Sequence, residues 1–276
     1  MREGRLKGIH GAANAIWYDL RQGILKRYYV YLIAAVPFIM LSLQAVQTIE
    51  FIGEKVTFLN ILIVMFKGCM EFLGQDNNFR IPLEYMTIII MCSLIHGWYV
   101  KNEFRGRGTL VVLRMKNMSY WWLGKCVWGV SSVVLYMITL YICVFFINIL
   151  WSDGSIGWTE GINNIMESPI TAADNKDIVM YTVLLPCVTL IAITGLQIFI
   201  QLLASPMAAM VVNIIIMVTS AFEFKWYAIG NNFMLLRSKL VREDVAELKF
   251  SLIISMAVFI LTAVLGKRYT ERKELL

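Results

Sequence analysis

The sequence predicts an all-α membrane protein with six transmembrane helices. Three observations lead there. Hydrophobic residues make up 59% of the 276 positions and charged residues only 16%, at a mean hydropathy of +0.67, whereas soluble domains carry roughly a quarter charged residues. Six apolar runs are long enough to approach the ~30 Å of a bilayer core at 1.5 Å per residue. Cations gather in the segments that alternate with those runs, as the positive-inside rule requires.

The predicted spans are Tyr29–Thr48, Ile81–Val100, Trp121–Trp151, Ile178–Ser205, Pro206–Phe222 and Phe250–Leu265. After the connections, no length is left for a soluble domain of about 100 residues, so residues 1–276 are expected to form one transmembrane domain. Upstream of the first span, Ile16, Trp17, Leu20, Ile24 and Tyr28 share one helical face while Asp19, Arg21, Gln22 and Lys26 lie elsewhere. This pattern predicts an amphipathic surface helix at the headgroup level. The first 28 residues lack the charged tip and short apolar core of a cleavable signal, which keeps the amino terminus on the cytoplasmic side.

A seventh stretch, Phe58–Leu73, is broken by Lys67 and Glu71 and reads as an interfacial or re-entrant helix rather than a crossing. With six spans the inner segments hold six cations before the first span, six between Lys101 and Lys125, and four from Lys267 to Lys273, sixteen of the 25 Lys and Arg. The segment Trp151–Asp177 carries Asp153, Glu160, Glu167, Asp174 and Asp177 against Lys176, which suits the outer side. The second outer segment, Glu223–Lys249, is mixed in charge, and Phe233, Leu236, Leu240 and Val241 suggest an amphipathic helix within 231–249 at the outer leaflet. Both termini are therefore expected in the cytoplasm of a multi-pass protein of the cell membrane, of bacterial plasma-membrane type.

Several activities are excluded by what their chemistry needs. Gly124-Lys125-Cys126 lacks the glycine-rich phosphate cradle, with Ser119 at the first glycine position and Cys126 in place of the magnesium-binding Ser or Thr. His10 and His96 are the only histidines, 86 residues apart, so no paired-histidine metal motif exists. Five cysteines fall mostly within apolar runs without a CxxC pair and read as buried thiols. No serine sits in a nucleophile elbow; the membrane serines suit helix-to-helix hydrogen bonds. The net charge of +6 follows topology rather than a soluble basic face, so nucleic acid is not an expected partner.

Polar residues inside the spans need internal partners. Glu84 lies three residues from the start of its span, where it either reaches the interface or faces a cavity or substrate path. Lys125, four residues into the third span, reads as an anchor snorkelling to the inner surface. His96, Gln197, Gln201 and Asn213 read as packing hydrogen bonders; among them His96 and Asn213, with Glu84, are the positions that could line a substrate path. Pro37 and Pro186 interrupt spans, and Ser205-Pro206 marks a tight turn between the fourth and fifth.

Between the second and third spans lies Lys101-Asn-Glu-Phe-Arg-Gly-Arg-Gly-Thr-Leu-Val-Val-Leu-Arg-Met-Lys, followed by Trp121-Trp-Leu-Gly-Lys125. Leu110, Leu113, Met115 and Met118 could fill a groove while Arg105, Arg107, Arg114 and Lys116 meet acids at its rim; a lipid-facing basic loop is the alternative. The Glu103, Arg105, Arg107, Gly108-Thr109-Leu110 stretch and the Leu-Gly-Lys lead into span three resemble the permease subunits of type 2 ATP-binding cassette exporters, and the layout resembles theirs along nearly the whole chain. Val111 and Val112 stand where many members carry a second acid.

The resemblance implies a permease domain whose cytoplasmic coupling helix, built from Glu103, Arg105, Arg107, Gly108, Thr109, Leu110, Leu113, Arg114 and Lys116, docks two copies of a separate ATPase. It also implies a second permease, identical or related. ATP and magnesium would then belong to the ATPase, leaving no cofactor, metal or catalytic residue on this chain. The substrate would be an amphiphile, such as a peptide, a lipid-linked molecule or a drug, moved outward. A membrane scaffold or immunity-type protein that binds a partner without transport is the competing expectation. The topology has a direct test: a cysteine introduced at Gly108 should be shielded from a membrane-impermeant thiol reagent on intact cells, and one at Gly154 should be labelled. Labelling at 108 from outside would overturn the assignment.

Overall fold

The computed structural model describes residues 2–70, 72, 82–100, 118–166, 168–170, 173–225 and 227–274. Among these, the regular secondary structure is helical throughout. The helices are α1 (Arg2–Gly23), α2 (Tyr28–Phe51), α3 (Phe58–Met65), α4 (Leu83–His96), α5 (Met118–Trp151), α6 (Asn175–Leu203), α7 (Pro206–Phe222) and α8 (Leu248–Glu274). Four stretches are long and apolar enough to cross a membrane: Gly11–Phe51, Met118–Trp151, Asn175–Leu203 and Leu248–Arg272. The chain is therefore a helical membrane protein. The remaining two expected spans are shorter: 14 residues in α4 and 17 in α7, or roughly 21 and 26 Å of rise.

Local sequence explains where the helices start, stop and deform. Ser205 caps α7, its hydroxyl accepting from the Ala208 amide at 3.1 Å, and Pro206 takes the first helical position, where its missing N–H costs nothing. This is the tight turn the Ser-Pro pair predicts. Pro186 acts differently, because its missing donor leaves the Thr182 carbonyl without an i+4 partner. The backbone responds with a π-helical turn over Met180–Leu184, and the Tyr141 hydroxyl donates to the carbonyls of Thr182 and Val183 at 3.3 and 3.2 Å.

The helices run alternately between two ends of one bundle. At one end meet the close of α2, both ends of α3, the close of α5 and of α7, and the start of α8. There the Phe58 amide bonds to the Ser155 carbonyl and the Phe72 amide to the Phe222 carbonyl. At the other end meet α1, the close of α4, the start of α5 and the close of α8.

α3 is capped by Thr57, whose hydroxyl accepts from the Asn60 amide at 3.1 Å, and Leu59 to Met65 are buried apart from the half-buried Val64. Eight residues cannot cross, and a helix apolar all round must be covered on every side. The short α3 is packed within the bundle, and the chain enters and leaves it at the same end.

The segment 231–249 departs from expectation. In place of an amphipathic helix there are two short 3₁₀ turns, Ile229–Phe233 and Leu235–Arg237, followed by irregular chain. Phe233 and Leu236 do face inward, but so does Arg237, at 2% exposure. The sequence alone would place Arg237 with the other cations of the segment Glu223–Lys249. Its guanidinium instead donates to the carbonyls of Ser220 and Ala221, where α7 runs out of intrahelical donors, and to those of Cys69 and Met70 at 3.0 and 3.1 Å. Nη1 also reaches Asn231 Oδ1 at 2.8 Å. A planar fork of five donors matches this set of convergent oxygens, and the helix end is satisfied from the side rather than by water. The amides of Leu235 and Leu236 pair with the carbonyls of Phe66 and Lys67 at 2.8 and 3.0 Å, so the chain after α3 and the 229–238 segment form one unit. At its exposed rim Arg242 holds Asp244 with two hydrogen bonds of 2.9 and 2.7 Å, which keeps that carboxyl below the usual carboxylate range.

Two expectations follow. Arg237→Leu withdraws the guanidinium from the carbonyls of Ser220, Ala221, Cys69 and Met70 and should lower stability by about 3 kcal/mol, a midpoint shift on the order of 10 °C, in thermal unfolding of the detergent-solubilised protein. Arg237→Lys should recover less than half of the loss, and a neutral result for Arg237→Leu would refute the capping role. Gly154 has a φ of 71°, which a cysteine adopts at a cost, so the neighbouring Asp153 is the better labelling position for the segment that follows α5.

Candidate functional site

The basic segment between α4 and α5 carries all of the proposed coupling residues, Glu103, Arg105, Arg107, Gly108, Thr109, Leu110, Leu113, Arg114 and Lys116, and these lie outside the described residues. Both of its roots are described. They lie at one end of the bundle, and both bond to one buried carboxylate, that of Asp19 on α1.

On α5, Trp121, Lys125 and Trp128 recur at spacings of four and three and so share a face; all three are buried. That face receives α1, where Ala15 and Asp19, four residues apart, are buried as well. Gly124 permits the approach, because a Cβ there would collide with the Asp19 carboxylate and press on the Ala15 carbonyl. Lys125 Nζ donates to Asp19 Oδ1, with both side chains almost wholly out of solvent. The Tyr99 hydroxyl, in the helical turn that follows α4, donates to the same oxygen at 2.9 Å. The ammonium also lies 4.6 Å from the Tyr99 ring centre and 5.3 Å from the Trp121 ring, within cation–π range. Tyr99 in turn packs on Trp128 with ring centres 4.3 Å apart.

This arrangement corrects two expectations. Lys125 does not snorkel to the surface, and Asp19 does not belong to a solvated face of α1. Each is buried because the other is: a lone buried ion costs several kcal/mol, and pairing with further hydrogen bonds offsets that cost. From the other side, the C-terminal part of α8 grips the same turns of α5. Trp122 Nε1 donates to the Ala263 carbonyl at 2.8 Å and the Ser119 hydroxyl to Glu271 Oε1 at 2.6 Å. α1, the close of α4, the start of α5 and the close of α8 are thus tied together around the two roots of residues 101–117.

Above this lock lies a wholly buried polar network. Gly97 closes α4 with a tightened i−3 bond to Leu94 at 3.2 Å, which frees the Ser93 carbonyl of its usual helical donor. Gln197 on α6 donates to it at 2.8 Å, and Gln201, one turn on, donates to the His96 carbonyl at 2.9 Å. Asn213 on α7 donates to Gln197 Oε1 at 2.9 Å and to the Ser93 hydroxyl at 3.2 Å. His96 Nδ1 lies 2.8 Å from the Cys92 carbonyl and so carries the ring proton, since a carbonyl can only accept.

Of the three positions read as possible path residues, the structure gathers two. His96 and Asn213 share this network at 0% exposure. Glu84 stands apart, twelve residues and about 18 Å of helical rise from His96; it is half-buried in the first turn of α4 and accepts from Gln44 Nε2 at 3.1 Å. Of the span serines, Ser132 and Ser255 cross-link helices as expected, bonding to the Tyr31 hydroxyl at 2.7 Å and to Thr189 at 3.4 Å, whereas Ser42 donates back to the Phe38 carbonyl of its own helix at 2.7 Å. Among the described residues, no group of three or more His, Cys, Asp or Glu is placed to hold a metal ion.

Sequence reasoning missed Asp19 as a partner for Lys125, although both were visible as charges next to small residues, Ala15 and Gly124. Comparison with known proteins adds no identity, since no family model, curated protein or solved structure matches the chain.

The charge pair makes a sharp expectation. Asp19→Asn leaves Lys125 buried without its counter-charge and should destabilise by about 3–5 kcal/mol, whereas the paired change Asp19→Leu with Lys125→Met should cost far less. A double-mutant cycle of detergent melting temperatures measures this, and additive losses would show that the two groups do not interact.

Proposed function

We propose that this chain is the transmembrane permease subunit of an ATP-driven exporter of the type 2 ATP-binding cassette class. In this reading all six apolar helices cross the membrane, α4 and α7 included, with both termini and residues 101–117 in the cytoplasm of a bacterial-type plasma membrane. The subunit pairs with a second permease and docks two copies of a separate ATPase, which bind ATP and magnesium. An amphiphilic substrate, such as a peptide, a lipid-linked molecule or a drug, is moved outward.

The observation that carries the reading is the lock at the roots of the basic segment. A push on a loop moves helices only if the loop's two ends are held by structure that does not yield. Tyr99 before the segment and Lys125 after it converge on one buried carboxylate of α1, so force applied between them is passed to α1, α4 and α5 as a body. The five cations from Lys101 to Lys116, against the single acid Glu103, suit docking to an acidic rim. His96 and Asn213 are among the polar positions that a passing substrate would meet if α4, α6 and α7 part, and Glu84 lies at the far end of α4.

Purification from native membranes tests this. An ATPase subunit should accompany the chain, and Arg105→Glu, Arg107→Glu and Arg114→Glu together should cut its recovery tenfold or more without lowering the melting temperature of the permease. Unchanged association after the charge reversal would overturn the docking proposal, and a chain that never captures an ATPase would point to a non-transporting scaffold.

A further inference from the structure

The flank of the lock carries a feature that the transport reading leaves unused. Between the N-terminal half of α5 and the C-terminal half of α8 runs an open groove of about 440 Å³, within the roughly 300–1,000 Å³ of small-molecule sites. Its walls are apolar, with Leu123, Val127 and Val130 on one side and Phe259, Ile260 and Val264 on the other. Trp122 forms the floor, its ring fixed by the bond to the Ala263 carbonyl and seated against Gly266, where any Cβ would overlap it. α8 is also the least covered of the four long apolar stretches, with 11% of its most apolar 18 residues buried against 39–50% in the others. In a membrane protein such a groove faces lipid.

Apolar walls alone cannot choose one lipid from the bulk, because acyl chains are as apolar as leucine and gain little by exchanging one for the other. Selection has to come from the headgroup. Lys267 stands at the mouth of the groove, one turn beyond Ala263 and Val264, and is largely exposed. Arg268 and Arg272 are exposed in the same turns. The acid nearby, Glu271, makes its short hydrogen bond to Ser119 and lies 3.8 Å from Lys267, a long contact that leaves an ammonium with three donors able to meet a phosphate.

We propose that this groove is a binding site for an anionic phospholipid of the adjacent leaflet, one acyl chain lying along Trp122 and the phosphate at Lys267. The site stands whether or not the chain is a permease, because it depends only on the membrane setting and on the α5–α8 geometry. One cation near an anionic headgroup is worth about fivefold in preference.

The test uses Trp122 as its own reporter. The full chain is reconstituted in vesicles containing brominated phosphatidylglycerol or brominated phosphatidylcholine, and the Trp122 contribution is the quenching lost in Trp122→Phe. Half-maximal quenching should need about fivefold less phosphatidylglycerol than phosphatidylcholine. Lys267→Gln should remove most of the preference, Lys267→Arg should keep it, and Ala263→Phe, which narrows the groove, should weaken quenching by both. Equal quenching in the unmodified protein would reduce the site to ordinary boundary lipid and overturn the proposal. So would a preference that survives Lys267→Gln, or a Trp122 that neither lipid reaches because a second copy of the chain covers the groove.

Discussion

The burial of Lys125 is the constraint around which one end of this molecule is organised. An ammonium inside an apolar bundle has to find its counter-charge within the protein, and it finds Asp19. That single requirement draws α1 onto α5, makes a glycine necessary at 124, and brings Tyr99 from the far side of residues 101–117 to complete the carboxylate's bonding. The aromatic faces of Tyr99 and Trp121 supply the remaining contacts to the cation. A helix that composition alone would leave on the membrane surface becomes part of the bundle.

The same principle, that polar groups in an apolar medium must be matched from within, explains the rest of the irregular structure. Where α7 ends, Arg237 serves its carbonyls; where α4 tightens at Gly97, Gln197 and Gln201 do; where Pro186 breaks the ladder of α6, the Tyr141 hydroxyl does. Non-helical chain at 66–70 and 229–238 is tolerated because the two segments bond to each other and to Arg237. These side chains act as substitutes for water at defects in helices, and that places them at the positions where helices change direction or part.

How much was legible follows from the range of each interaction. The runs underlying α2, α5, α6, α7 and α8 were visible because hydropathy is a sum over neighbours in sequence, and the Ser205-Pro206 turn because its capping bond spans three residues. The shortness of α4 was not visible, because Gly97 reads as one more small residue in an apolar run. Arg237 looked like a loop charge, since its oxygen partners lie as far as 168 residues away. The recurrence of Phe233, Leu236, Leu240 and Val241 suggests an amphipathic helix at the outer leaflet, but Phe233 and Leu236 are carried into the core by tight 3₁₀ turns because an adjacent chain supplies hydrogen bonds.

By itself the sequence determined that this protein lives in a membrane as a helical bundle and that its cations cluster in particular segments, because transfer free energy and charge placement are properties of local composition. Only the tertiary structure decided which charges are solvated and which are buried. Asp19 and Lys125 are 106 residues apart in the chain, and whether an ion can stay charged in an apolar interior depends on what the fold sets beside it.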